Sequence, residues 1–424
     1  MPQDLVLIGG GHSHAIVLKM FGIKPLPGVR LTLISDVSHA PYSGMLPGHV
    51  AGFYSYDECH IDLRSLCEFT QCQIFVDRAI AIDFNKNCVI CQNRPPVHFD
   101  LLSIDIGSTP ATLSVPGAAE YAIPAKPVPE FLTSWNQLIT HRQNHPENPM
   151  RIAIVGGGAG GVELALNMQS RFRKKEASSA ADFVTDVTDT RKKRKGLEKL
   201  LEIHLFHSGA ELMPGHNQRV RHRLKEILSN RGIKVHLNEK VSAIEKPETI
   251  EIEGYKKSPM PDARCPMPDA QIFCESGLQL KCEIIFWVTQ ASAARWIKES
   301  GLATDSNGFI QVNDCLQSVS HPHVFAAGDI CTMVNYPRPK AGVFAVRQGQ
   351  PLFENLQQFL LEKPLKPFAP QSQYLGLIGT GNKSAIASRG NFMWESALLW
   401  YWKDWIDRQF MQKFSNLPKT PNTK

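Results

Sequence analysis

Ile152-Ala-Ile-Val155-Gly156-Gly157-Gly158-Ala159-Gly160-Gly161-Val162-Glu163-Leu164-Ala165 reads as a strand, a glycine turn and the opening of a helix. A short run without a polar residue suits a strand buried on both faces of a parallel sheet. Gly156, Gly158 and Gly161 have the full G-x-G-x-x-G spacing. Such a turn lets backbone N–H groups and the helix dipole meet the pyrophosphate of a dinucleotide. The next strand, expected from Glu202 to His207, ends in His207-Ser208. It offers neither the acid that reads a ribose 2′-hydroxyl nor an adjacent arginine for a 2′-phosphate, so NADH and NADPH both stay open.

The same grammar stands at the N-terminus. Leu5-Val-Leu-Ile8 leads into Gly9-Gly10-Gly11-His12-Ser13-His14, then a helical stretch to Met20 and a strand from Val29 to Ser35. His14 replaces the third glycine, so helix and strand are expected to pack less closely there. Ser35 holds the place of the usual ribose carboxylate, with Asp36 next. A third element, Val324-Phe-Ala-Ala-Gly328-Asp329, is an apolar strand ending in Gly-Asp. Two strand–turn–helix units followed by this element predict an α/β fold of two Rossmann-like domains, one inserted in the other, plus a small C-terminal region. The expected bounds are 1–120 and 305–370 for the first domain, 121–304 for the inserted one and 371–424 for the remainder.

The formal charge of +6 is local. Between Arg171 and Lys199 ten Lys/Arg face five Asp/Glu, a surplus of five, so one charge remains elsewhere. This argues against a nucleic-acid partner. Residues 172–199 and the repeat-bearing 259–272 (PMPDARC-PMPDAQI) read as insertions, the first largely disordered. No secretory signal and no run long enough to span a bilayer is visible, which predicts a cytoplasmic chain with reduced cysteines. Cys59, Cys67 and Cys72 have no zinc spacing, and no metal is expected. Cys88 and Cys91, three apart in a strand-like run, would point to opposite faces. Near the C-terminus, Trp394, Leu398, Tyr401, Trp402, Trp405 and Ile406 share a helical face, with Lys403 and Asp407 opposite. That face is expected to pack on the core or a dimer partner, or else to touch a membrane surface.

GGGHSH (9–14), PYSGMLPG (41–48), ELMPGHNQRVRHRL (211–224), AGVFAVRQGQPLFENL (341–356) and the 374–411 segment resemble the pyridine nucleotide-disulfide oxidoreductase superfamily near type II NADH dehydrogenases. They resemble most the flavoprotein found fused ahead of selenide, water dikinase. The resemblance implies FAD at Gly9, Gly10, Gly11, His12, Ser35, Asp36, Ala79, Gly107, Gly328 and Asp329. Asp329 would accept the ribityl hydroxyls, with Gly328 permitting close approach. NAD(P)H would sit at Gly156, Gly157, Gly158, Gly161, Glu163 and His207. Lys126 and Lys340 are the candidate cations beside the flavin. Disulfide reductases of this architecture carry a cysteine pair beside the flavin, whereas Pro41–Pro47 has none. The quinone motif of type II dehydrogenases would fall on Gly342–Arg347, but Val343 and Arg347 replace its glutamines, and Gln290 replaces a glycine usual at a strand end. The activity implied is hydride transfer from NAD(P)H to FAD and on to a small electron acceptor, a quinone among them. The rival reading is a non-catalytic redox sensor in selenium metabolism.

Overall fold

The computed structural model describes residues 2–110, 115–181, 200–246, 270–289 and 291–418. Two five-stranded, all-parallel sheets dominate it. The first runs Val324–Ala326, Leu101–Ile104, Gln3–Ile8, Val29–Ser35, Gln73–Val76. The second runs Ile123–Pro124, Ile284–Trp287, Met150–Val155, Leu201–His207, Lys234–Leu237. In each, the strand before a glycine turn sits inside the sheet, where the winding reverses. That is where open α/β sheets bind ligands, beyond the carboxyl ends of the strands.

The apolar runs follow from burial on both faces. Ile152 and Ile154 face a core with Trp135, Val162 and Leu205, whereas Ala153 and Val155 face another with Phe206 and Trp287. Leu5, Val6, Leu7 and Ile8 are likewise enclosed. The glycine-turn helix His12–Ile23 packs along the Gly342–Leu360 helix, with Phe21 and Phe353 edge to face at 4.9 Å.

Three expectations need correction. The helix after the second glycine turn runs from Ala159 to Ala181, so residues 172–181 continue it rather than begin a disordered insertion. Residues 182–199 lie outside the described chain. Ala270–Cys274 is a strand, so the second insertion ends before Ala270, and residues 259–269 and Gln290 also lie outside the described chain.

The third correction concerns the C-terminus. A three-stranded antiparallel sheet, Gly376–Gly379, Ala385–Arg389 and Phe392–Ser396, precedes the helix Ala397–Ser415, so Trp394 is in a strand. The Ser396 hydroxyl caps the helix by accepting the N–H of Leu398. The helix buries Leu399, Trp400, Asp407, Phe410, Met411 and Phe414. Leu398, Tyr401, Trp402, Trp405 and Ile406 stay exposed, from 37% to 70%. The aromatic face therefore does not pack on the chain's own core, and the Lys403–Asp407 face is the inward one. Among the described residues no helix is long and apolar enough to cross a membrane.

Candidate functional site

Both glycine turns are shaped by a carbonyl. Gly9 and Gly156 have φ of +91° and +129°, and a Cβ on either would run into the backbone carbonyl of Asp105 or Val288. Five residues on, Gly161 lies bare against the carbonyl of Gly156. In the first unit His14 takes that place: its Nδ1 is 2.7 Å from the carbonyl of Gly9 and its Nε2 2.8 Å from Ser103 Oγ. A carbonyl only accepts, so Nδ1 carries the hydrogen and Nε2 accepts from Ser103. Burial lowers the pKa of His14 to about 4, so this neutral imidazole fills the space a third glycine would have closed.

Asp105 was not singled out from the sequence. It ends the Leu101–Ile104 strand, and its Oδ2 accepts the N–H groups of Ser13 (2.9 Å) and His14 (3.2 Å) at the start of the first glycine-turn helix. Its carboxyl also lies against the Cα of Gly11 and of Gly328, where a Cβ would overlap it. Within the chain, what abuts Gly328 is therefore a protein carboxyl. Burial, with help from nearby Asp329, raises the Asp105 pKa from 3.8 to about 7, against the pull of the two N–H donors. The available signal was a lone acid at the end of an apolar strand, in Ser103-Ile-Asp-Ile-Gly107.

The candidates from distant segments meet at Asp329. Lys126 Nζ is 2.9 Å from Asp329 Oδ2 and donates to Ser108 Oγ at 3.0 Å. Burial would raise the Asp329 pKa, but Lys126, His12 and Lys340 hold it below the usual carboxylate value. Lys340 reaches the carbonyl of Cys331 at 2.5 Å and Thr332 Oγ1 at 3.0 Å, with Nζ 4.0 Å from the Phe309 ring centre. Burial lowers its pKa. The Cys331 thiol is pushed up to about 12 by burial, which leaves it a poor nucleophile. His12 is half-buried, and its pKa falls to about 4, chiefly through desolvation of the ring. Its Nε2 has no hydrogen-bond partner.

The remaining candidates are dispersed. Ser35 Oγ donates to the Val37 carbonyl at 2.8 Å and so closes its own turn, whereas Asp36 is half exposed, 3.7 Å from Arg78. Gly10 lies against Leu63, Ala79 is a buried strand residue, and Gly107 has φ +70° with no protein atom within 4 Å of a Cβ position. In the second turn Gly157 lies against His207, and a Cβ on Gly158 would meet no protein atom within 4 Å. Glu163 accepts the N–H of Gly379 at 2.7 Å, and burial lifts its pKa to about 7. It is thus tied to the C-terminal sheet.

Cys88 and Cys91 occupy one strand, both buried. Cys67 and Cys72 are different: Cys67 lies near enough that, with burial, it pushes the Cys72 thiol pKa well up, a proximity sequence spacing did not reveal. Among the described residues no group of three or more His, Cys, Asp or Glu suits a metal ion.

The family model for pyridine nucleotide-disulphide oxidoreductases matches residues 3–349. The chain belongs to that family. It is an FAD-dependent NAD(P)H oxidoreductase by that membership. It is 25% identical over 395 residues to ferroptosis suppressor protein 1 of Homo sapiens, covering 92% of this chain and 89% of that protein. A type II NADH:quinone oxidoreductase of Haemophilus influenzae is 23% identical over 252 residues, 58% of this chain and 48% of its own length. The fold superposes on NDH2 from Plasmodium falciparum in complex with NADH, with a TM-score of 0.75 at 15% identity and 99% of each chain covered.

Proposed function

We propose that this oxidoreductase carries hydride from NAD(P)H to FAD and passes the electrons to a quinone-class acceptor without a redox-active disulfide. The observation that carries this reading is the Asp329–Lys126–Ser108 cluster at the carboxyl ends of the first sheet, with a second complete glycine turn in the other sheet. FAD suits the first site because it brings hydroxyls for Asp329, a pyrophosphate for the turn at Gly9–Gly11 and a polar edge for the unpartnered His12 nitrogen. Asp36 would serve its ribose. Once bound, FAD supplies the hydride-accepting centre. The protein's share is positioning and electrostatics, with Lys126 and Lys340 as the cations. NAD(P)H belongs at Gly156–Gly161, where Gly158 leaves the backbone open to a pyrophosphate. On this reading the FAD domain comprises 1–120 and 305–370, and the NAD(P) domain 121–304.

The quinone assignment draws on the relatives' names and on the absence, among the described residues, of a cysteine pair beside Asp329. The exposed Trp394, Leu398, Tyr401, Trp402, Trp405 and Ile406 favour a peripheral membrane contact for a cytoplasmic chain. A homodimer burying the same face is the competing outcome. The likeness to flavoproteins fused to selenide, water dikinase puts selenium compounds on the acceptor panel.

The test is anaerobic reduction of the holoprotein by NADH and by NADPH, then reoxidation by quinones, thiols and selenium compounds. Rapid flavin bleaching and multiple turnovers with a quinone are expected. Bleaching by neither nicotinamide would sink the proposal and leave the sensor reading.

A further inference from the structure

Reduction of a quinone by a nicotinamide consumes a proton: NAD(P)H + H⁺ + Q → NAD(P)⁺ + QH₂. The nicotinamide supplies two electrons and one proton as hydride. The second proton comes from solvent. A largely buried polar line joins two distant segments of the chain. Lys403, on the inward face of the C-terminal helix, donates to Asp407 Oδ2 at 2.6 Å and to the carbonyl of Gly44 at 2.6 Å. The Tyr42 hydroxyl donates to the other oxygen of Asp407 at 3.0 Å. The Lys403 and Asp407 side chains are only 16% and 7% exposed.

Tyr42 stands where the candidate site comes together. Its ring is 5.3 Å from that of His12 in the first glycine turn and 4.6 Å from Phe410 of the C-terminal helix. The next residue, Ser43, lies against Gly342 at the start of the Gly342–Leu360 helix. At the other end of the line, Lys403 and Asp407 both act electrostatically on Glu163, one turn into the helix of the second glycine motif, whose carboxyl titrates near neutrality. A buried ion pair costs desolvation that apolar side chains of the same volume would not, so packing alone does not account for it.

We propose that Tyr42 is the proton donor to the acceptor, and that Asp407 and Lys403, acting through it, return a proton to its oxygen. The Tyr42 hydroxyl turns from Asp407 and its O–H bond breaks as the acceptor's O–H bond forms. Asp407 then relays the ammonium proton of Lys403 to the phenolate, whose hold on a proton is strengthened by burial and the Asp407 charge, and solvent reprotonates Lys403. No electrons move through these groups; both come from the nicotinamide. This rests on the reading that the acceptor takes protons as well as electrons.

The experiment uses the FAD-loaded full chain and its Tyr42→Phe and Asp407→Asn variants, with reoxidation of the reduced protein followed by stopped flow. One acceptor is a soluble naphthoquinone. The other is ferricyanide, which takes electrons without protons. Both variants should keep the wild-type flavin content and absorbance spectrum. Naphthoquinone reoxidation should slow at least tenfold, and ferricyanide reoxidation should stay within twofold of wild type. Equal slowing with both acceptors, or no slowing with either, would overturn the donor assignment. So would a quinone defect in Asp407→Asn without one in Tyr42→Phe. If Tyr42→Phe fails to retain flavin, Asp407→Asn carries the same comparison. A wild type that reduces ferricyanide but no quinone overturns the acceptor reading itself, a result distinct from the others.

Discussion

Replacing Asp105 with asparagine should flatten the dependence of stability on pH. The carboxyl is fully buried and titrates at about 7 in the fold, against 3.8 ordinarily. Below pH 3.8 folded and unfolded chains both hold the proton. Between the two values the unfolded chain releases it while the folded chain keeps it, so stability falls as pH rises. Above about 7 both are ionised and the loss is complete. Three units at 1.36 kcal/mol each give a swing of about 4 kcal/mol. Asparagine has nearly the same shape, and its oxygen can still accept the N–H groups of Ser13 and His14, but it does not titrate. The difference in unfolding free energy between variant and wild type should therefore drift in the variant's favour from pH 4 to pH 7 and level off above. Denaturant titrations of the flavin-loaded proteins at half-unit pH steps, followed by flavin release, would measure it. Curves that stay parallel from pH 4 to 8 would refute the reasoning, because the carboxyl could not then change its ionisation preference on folding.

Three further outcomes follow from the candidate site. Asp329→Ala removes a charge-assisted hydrogen bond worth about 1.5–3 kcal/mol and should lower the flavin content of purified protein; a folded variant with full flavin content would count against the assignment. Gly158→Val, which meets no protein atom of its own, should leave FAD bound yet slow bleaching by NAD(P)H. Bleaching at the wild-type rate would mean the two turns had been assigned the wrong way round. Reductive titration with dithionite should consume about two electrons per FAD, against about four for a flavin with a redox disulfide, and Cys88→Ser or Cys91→Ser should change nothing. A value near four that falls to two in Cys67→Ser would identify the buried Cys67–Cys72 pair as a second redox centre.

The amino-acid order is enough to specify the two parallel sheets, because strands enclosed on both faces must be apolar at every position and glycine must follow where a neighbouring strand's carbonyl crowds the turn. Leu5–Ile8, Ile152–Val155 and their glycines state those demands locally, so they can be read without coordinates. It also placed Lys126 and Asp329 among the candidates, although their salt bridge joins residues 203 positions apart. Which polar groups are buried together depends on the folded chain as a whole. Asp105 carried no motif, and its role depends on Gly11, Ser13 and His14 of one segment and Gly328 of another arriving beside it. The C-terminal helix shows the same limit. Its pattern gave two faces, one aromatic and one carrying Lys403 and Asp407, and ordinary hydrophobic bookkeeping would turn the aromatic face inward. The fold does the reverse, because Tyr42 and the carbonyl of Gly44 give that charged pair hydrogen-bond partners inside the protein. Burial of an ion pair depends on partners that no helical period can specify.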